Sequence, residues 1–247
     1  MFWNADYSQL ELRIFAFASK CQAMTQTFAE GGDIHATTTW RVFGVHPKDQ
    51  TPQLRVRGKA LNFGMSYGAQ GETVEEQITV FALRNPQMHI PIPSLTECKD
   101  MVKAYWKAYP EAKEWVEFEH ELIRDRGYAE TFYGRRIYLP YIRHSNSELR
   151  ARAQRQGVNG IVQGTAGDLI KMAAWTLWKY EIVTGNWACD IRAQIHDELM
   201  GEVFEKGHER QQEWLDVAQE YMLLDQPLMP VPLVVDPKLV KTWKEAK

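Results

Sequence analysis

The spacing of apolar and polar residues changes period several times along the chain, and each change marks an element. Residues 1–6 read as the end of a buried strand, and residues 8–19, SQLELRIFAFAS, read as a helix. Ser8 followed by Glu11 is a capping-box pattern at that helix's start. Residues 31–44, GGDIHATTTWRVFG, read as a loop feeding a short helix. Residues 51–68, TPQLRVRGKALNFGMSYG, read as a helix with Pro52 near its start and Gly68 at its end. A short helix is expected over 72–84, a Pro-rich loop over 85–94, and a long helix over 95–126 that breaks near Pro110. Residues 127–140 read as a hairpin turning at Tyr133-Gly134. Residues 147–184 form one or two long helices, in which Gly157, Gly160 and Gly164 permit close packing. Strands over 188–195 and 199–204 enclose a polar tip, and a helix over 207–224 and a strand near 231–236 close the chain. Antiparallel strands with many helices make the fold α+β.

Composition adds little to this and charge distribution adds more. With 247 residues there is room for a sizeable core, and 25% charged residues is ordinary for a globular protein. Three widely spaced cysteines, Cys21, Cys98 and Cys189, argue against a disulfide framework or a zinc cluster and for a reducing compartment. No apolar run is long enough to span a bilayer, and the first residues lack the basic and apolar regions of a signal peptide, so no membrane partner and a cytoplasmic location are expected. The net charge of -3 hides an asymmetry. Eight arginines fall between Arg124 and Arg155, whereas Glu198, Glu202, Glu205, Glu209, Glu213, Asp216 and Glu220 crowd the last third. A basic groove beside an acidic centre would give this pattern, and so would two solvated helix faces.

Candidate chemistry starts at QIHDELMGEV, residues 194–203, where His196, Asp197 and Glu198 sit between apolar flanks. A hairpin tip carrying two acids is equally a bland solvent-facing turn. A second carboxylate, Asp6, stands where strand gives way to helix; it either caps that helix or points out of the sheet end. If the two strands are neighbours, Asp6 and Asp197 converge and repel unless cations bridge them. Oxygen-only ligands suit Mg²⁺, and two such ions would clamp an in-line phosphoryl displacement. The helix over 51–68 supplies a complement: Arg55, Lys59, Phe63 and Tyr67 recur at every fourth residue and form one stripe. Two cations followed by two aromatics suit a triphosphate and its base better than a core or a solvent face.

Three stretches, DYSQLELR, RVRGKALNFGMSYG and QIHDELMGEV, resemble motifs A, B and C of family A DNA polymerases, the bacterial DNA polymerase I type, in that order. GGDIHATTTW, GYAETFYGRRIYLP and RAQRQGVNGIVQGTAGDLIKMA extend the resemblance nearly end to end. It implies an antiparallel palm sheet and a mostly helical fingers subdomain, with palm at 1–30, fingers at 31–126 and palm again at 127–247. It implies template-directed DNA synthesis, in which a primer 3′-OH attacks a deoxynucleoside triphosphate. Asp6 and Asp197 resemble the metal-binding aspartates of two Mg²⁺ ions, for which Mn²⁺ can substitute, with the Tyr7 carbonyl as a further ligand. Glu198 and His196 stand beside them, His196 near the primer end. Arg55, Lys59 and His35 resemble the phosphate contacts, Phe63 and Tyr67 the residues stacking on sugar and base, and Gln9 a further nucleotide contact. Phe63, where a tyrosine could stand, implies poor acceptance of dideoxynucleotides. Glu11 resembles a steric gate against a ribose 2′-OH, a role compatible with capping. Arg155, Asn159 and Gln163, again four apart, resemble minor-groove contacts, where geometry is checked without reading sequence. Arg135, Arg136 and the arginines around them become phosphate contacts.

The chain starts almost at motif A, so the thumb and the 3′–5′ exonuclease domain are expected to be absent from it. A fragment, one half of a split polymerase and a truncated relic all fit. The partners implied are primer-template DNA, deoxynucleotides and a companion chain bearing thumb and exonuclease, in a bacterial or phage-infected cell at the nucleoid. A single-subunit RNA polymerase relative and a non-catalytic DNA-binding subunit are the rival readings; Glu11 and Phe63 speak against the first, and Asp6, Asp197 and Lys59 against the second.

Overall fold

The computed structural model describes residues 1–184, 189–203, 208–223 and 231–246. In chain order the elements are β1 (Phe2–Tyr7), α1 (Leu10–Ser19), α2 (Gln22–Ala29), α3 (Ile34–Phe43), α4 (Pro52–Ser66), α5 (Gly71–Arg84), α6 (Leu95–Ala108) and α7 (Pro110–Arg126). There follow β2 (Tyr128–Glu130), β3 (Arg136–Tyr138), α8 (Ser147–Thr184), β4 (Cys189–Ile195), β5 (Glu198–Val203), α9 (His208–Leu223) and β6 (Val235–Val240). The chain divides into two compact units, one formed by Met1–Leu10 with Gln163–Lys247 and the other by Glu11–Val162.

The first unit is built on a four-stranded antiparallel sheet in the order β4-β5-β1-β6, so the chain's first strand lies between two of its last. Its buried face is apolar at alternate positions: Trp3, Ala5 and Tyr7 on β1 and Leu199 on β5 are all essentially inaccessible. Helix α9 covers that face. Trp214 meets Trp3 edge-on with ring centroids 5.7 Å apart, and the Tyr7 hydroxyl donates to the Met222 carbonyl. Gly201 is required here, because a Cβ at that position would sit 1.9 Å from the Asp190 carbonyl oxygen and 2.4 Å from Trp3 Nε1.

The second unit is helical apart from the β2–β3 hairpin, whose turn uses Gly134 at φ 81°. Helices α3 and α4 approach so closely that a Cβ on Gly58 would lie 2.2 Å from Thr39 Oγ1 and 2.6 Å from the His35 carbonyl oxygen. A buried polar network ties them: Thr38 Oγ1 donates to Asn62 Oδ1 at 2.8 Å and lies 2.7 Å from the Tyr109 hydroxyl, and Asn62 Nδ2 reaches the Ile34 carbonyl.

Most expected elements are present. The helix over 95–126 breaks at Pro110, and residues 147–184 form one continuous helix in which Gly157 and Gly160 pack against Ile123, Leu139 and Ile137. Two expectations are corrected and one element is added. The Ser8–Glu11 capping box lacks its reciprocal bond: the Ser8 N–H donates to the Val234 carbonyl, and the Glu11 carboxylate accepts from Tyr67 instead. The last strand runs over Val235–Val240, four residues later than expected, because pairing with β1 sets Asp236 opposite Asp6. Helix α2 was not anticipated. The expected element ends at 188, 204, 207 and 224, and Glu205 of the acidic run, lie outside the described residues.

Candidate active site

In the first unit, β4 and β5 form a hairpin joined by His196 and Asp197. His196 takes the left-handed region at φ 55°, a conformation that costs a non-glycine residue about 1 kcal/mol or more and persists only where its surroundings enforce it. Part of that enforcement is visible: the Tyr7 N–H donates to the Asp197 carbonyl at 3.2 Å, binding the tip to the end of β1. β1 and β5 pair with Asp6 opposite Glu198, so three carboxylates gather at one sheet end.

Their electrostatics follow from that crowding. Burial, and then the negative charges of Asp197 and Glu198, push the Asp6 carboxyl up to about 6; Lys238 opposes this and Asp236 adds to it. Asp197 is also raised, by burial, an effect that its own backbone, the charge of His196 and the neighbouring Asp6 carboxyl oppose. Glu198 is steered by Asn4, whose Nδ2 donates to Oε1 at 3.0 Å. The pair has the character of a divalent-cation site: hard oxygen donors, partly desolvated, whose mutual repulsion a cation would relieve. Among the described residues no group of three His, Cys, Asp or Glu side chains is arranged to hold a metal. Two carboxylates suit Mg²⁺, which takes few protein ligands and fills its shell with water and phosphate oxygens.

The second unit carries the cation–aromatic stripe on α4. Thr51 caps the helix by accepting from the Leu54 N–H, and Pro52 occupies its first turn. Arg55 and Lys59 are exposed; Phe63 and Tyr67 are half-buried. Each polar member is held by a neighbour. Arg55 Nε contacts Asp33 Oδ2 at 2.6 Å, while the other Asp33 oxygen caps α3 through the N–H groups of His35 and Ala36. Lys59 Nζ lies 5.7 Å from the Phe63 ring centroid. His35 is 4% exposed, its Nδ1 3.0 Å from Asn62 Nδ2 and its ring 5.8 Å from that of Phe63. Burial, helped by the charges of Arg55 and Lys59, lowers its pKa to about 4, so the ring is neutral at pH 7. The Tyr67 hydroxyl donates to Glu11 Oε2, and Gly68, at φ 68°, makes room for the aliphatic stem of Arg155. Tyr67, Gly68, Thr73, Gln77 and Arg155 line a cleft of about 290 Å³ beside this helix end.

The remaining expected residues distribute as follows. Gln9 sits between β1 and α1 at φ 55°. Arg155, Asn159 and Gln163 share one face of α8 by their spacing; the first two belong to the second unit and Gln163 to the first. Arg135 and Arg136 are exposed on the β2–β3 hairpin, where Arg136 lies over the Tyr128 ring and 3.4 Å from Glu130. Sequence reasoning missed Asn4, Asp33, Asn62, Asp236 and Lys238. A signal existed for two: Asp33 stands just before a helix as a cap residue does, and Asn62 is a polar residue in an apolar run.

A family model for DNA polymerase family A matches residues 1–245. The chain is 36% identical over 245 residues to a DNA polymerase I of Rhizobium leguminosarum, covering 98% of this chain and 23% of that protein. It is 34% identical over 243 residues to a thermostable DNA polymerase I of Thermus filiformis, covering 98% of this chain and 27% of that one. Among solved structures, the POL domain of Pol1 from M. smegmatis, in complex with DNA primer-template and dNTP, superposes with a TM-score of 0.80 at 30% identity. That match covers 96% of this chain and 39% of the solved one. The chain thus spans about a quarter of the length of the curated relatives it matches.

Proposed function

The chain belongs to DNA polymerase family A, and from that premise we propose that it carries the nucleotidyl-transfer site of a DNA-directed DNA polymerase, with palm at 1–30 and 127–247 and fingers at 31–126. The observation that carries the reading is the convergence of Asp6 and Asp197, 191 positions apart in the chain, on one sheet end, where Asp6 pairs with Glu198 and the next residue, Tyr7, bonds the Asp197 carbonyl. A bland turn and a helix cap have no reason to meet. M. smegmatis Pol1 is described with primer-template and dNTP, and the same two ligands are proposed here.

In this reading Asp6 and Asp197 hold two Mg²⁺ ions, with the Tyr7 carbonyl as a further ligand and Asn4 keeping Glu198 alongside. When bound, the ions supply Lewis acidity that activates the primer 3′-hydroxyl and offsets charge on the leaving pyrophosphate; Mn²⁺ can substitute. Arg55 and Lys59 take the triphosphate as charge-assisted donors, Lys59 neutralising charge as it develops. Arg55 exchanges Asp33 for phosphate when it does so. His35 donates to phosphate as a neutral ring, anchored by Asn62. Phe63 and Tyr67 stack on sugar and base. Glu11, fixed by the Tyr67 hydroxyl, walls off a ribose 2′-OH, which favours deoxynucleotides over the RNA-synthesising alternative. Arg155, Asn159 and Gln163 follow the minor groove, with Arg135, Arg136 and His196 on the nucleic-acid backbone and primer end. The grip on duplex DNA comes from polypeptide outside these residues, either as a companion chain or as more of the same one.

The test is primer extension with wild type and Asp197→Asn. A loss of at least about 10³-fold, on the order of 4 kcal/mol, is expected. Unchanged activity would sink the catalytic reading and leave a DNA-binding subunit. Processive synthesis of hundreds of nucleotides by the isolated chain would overturn the external grip.

A further inference from the structure

The sheet of the first unit has one face packed under α9 and another that carries the acids. Directly paired residues of an antiparallel sheet share a face, as do residues two apart along a strand. Asp6 pairs with Glu198 on β5 and with Asp236 on β6, so three carboxylates form one row across three strands. Two residues back along β1, Asn4 pairs with Met200 and with Lys238, which sets Lys238 on the same face in the next row. Successive rows on one face lie about 7 Å apart. The flexible four-carbon stem of a lysine spans that gap.

The Lys238 ammonium leans toward the acid row. Its Nζ lies 2.7 Å from Oδ2 of Asp236, the acid on the edge strand. Both side chains are more than half exposed, so this ion pair adds little to stability, and its importance lies in where it stands. Burial and the charges of Asp197 and Glu198 push the Asp6 carboxyl up, and Lys238 is the cation that opposes them. Lys238 in turn is held above its ordinary range by its bond to Asp236 and, beyond that, by the charges of Asp6 and Glu198. Arg192 on β4 is engaged elsewhere, 3.2 Å from Asp190 and 3.1 Å from Glu202.

We propose that Lys238 is a built-in counter-charge to the Glu198–Asp6–Asp236 row and thereby limits how tightly the site takes a divalent cation. It acts through the acids by its field, as a positioning residue, and the inference rests on the reading of Asp6 and Asp197 as the cation site. With no cation bound, the ammonium offsets the crowding of the acids. With one bound, the same charge repels it. A unit charge about 8 Å away lowers the affinity for a divalent ion roughly threefold at low ionic strength, and less as salt rises. Asp236 works in the opposite sense. It adds negative charge to the row and holds the ammonium at the row's outer end; without it, the stem lets the ammonium swing inward.

The test measures Mn²⁺ binding to the full chain through the electron paramagnetic resonance of free Mn²⁺, at low salt and without DNA or nucleotide. Lys238→Gln is expected to tighten binding about threefold, Asp236→Asn to weaken it by a similar factor, and Lys238→Arg to match wild type. The differences should shrink in ~0.3 M salt. A merely structural ion pair would move the first two variants in the same direction. Urea melts in EDTA supply a metal-free readout: Lys238→Gln should lower the midpoint in the wild-type background and lower it less in an Asp6→Asn background. Equal affinities of wild type and Lys238→Gln, a shift of Lys238→Gln and Asp236→Asn in one direction, or no coupling to Asp6 would overturn the inference and leave Lys238 as an edge-strand charge. Coupling to Asp6 with no Mn²⁺ bound by wild type would uphold the counter-charge and defeat the cation-site reading; Mn²⁺ binding indifferent to Lys238 would do the reverse.

Discussion

The carboxylate tip of the first unit and the α4 stripe of the second handle charge in opposite ways. At the tip, like charges face each other, and the Asp6 carboxyl is pushed up to about 6 by burial and its acidic neighbours. Around α4, the polar groups have resting partners: Arg55 has Asp33, His35 on α3 has Asn62, and Tyr67 has Glu11. One region gains most when a cation arrives from outside. The other is balanced in advance, and binding there must exchange one partner for another. Crowded like charge gives a site affinity for a counter-ion, whereas satisfied charge gives it shape and a low cost of waiting.

Both regions are closed by a single glycine, and substituting each would break the comparison most severely. Gly58→Val forces a side chain into Thr39 and the His35 carbonyl, and Gly201→Val into Asp190 and Trp3. Each is expected to cost about 3 kcal/mol or more, because the obstacle is mainly backbone or a buried ring that cannot yield. The first should melt the helical unit and the second the sheet unit; hydrogen exchange resolved by segment would distinguish them. Loss of protection in both units from either variant would show them to be one cooperative body.

A pH pair sharpens the contrast. His35 has a folded pKa of about 4, below its ordinary 6.5, so its contribution is complete above pH 6.5 and is lost as pH falls toward 4. By pH 5 the loss is about 2 kcal/mol. Glu181 on α8 is almost inaccessible, with Oε1 unpartnered, and burial and the charge of Asp190 push it up to about 7 from 4.5. Its contribution is complete below pH 4.5 and is lost as pH rises through 7, by about 2–3 kcal/mol at pH 8. In denaturant melts, Glu181→Gln should therefore gain on wild type at pH 8 and His35→Gln at pH 5. Gains at the reversed pH values would refute both assignments.

The smallest expected effect is that of Asp33→Ala. It removes the cap of α3, worth about 1 kcal/mol, and frees Arg55. If the ion pair is a resting state that triphosphate displaces, stability falls while the KM for nucleotide stays the same or drops. A KM that rises several-fold would show that Asp33 holds Arg55 in its working position.

Much of the catalytic proposal was readable without coordinates, because its parts are local. The four-residue recurrence of Arg55, Lys59, Phe63 and Tyr67 is a helix face wherever that helix sits, and a two-residue polar break between apolar runs is a hairpin tip in any sheet. What was not readable was everything that depends on long-range register. Ser8 and Glu11 satisfied a local rule that the fold overrode, because Val234 and Tyr67 offered each of them a partner from a distant part of the chain. Asp236 and Lys238 came beside Asp6 only through the pairing of β6 with β1.

The sequence by itself determined the α+β class, the helix boundaries punctuated by Pro52 and Pro110, and the residue types available for phosphate and metal. The tertiary structure alone decided that Asp6 and Asp197 share a sheet end, that Asn62 and Asp33 hold His35 and Arg55, and that α8 shows two tryptophans to solvent. The division is physical: periodicity and capping act over a few residues, whereas repulsion between carboxylates and the burial of a ring arise only when remote segments are packed together.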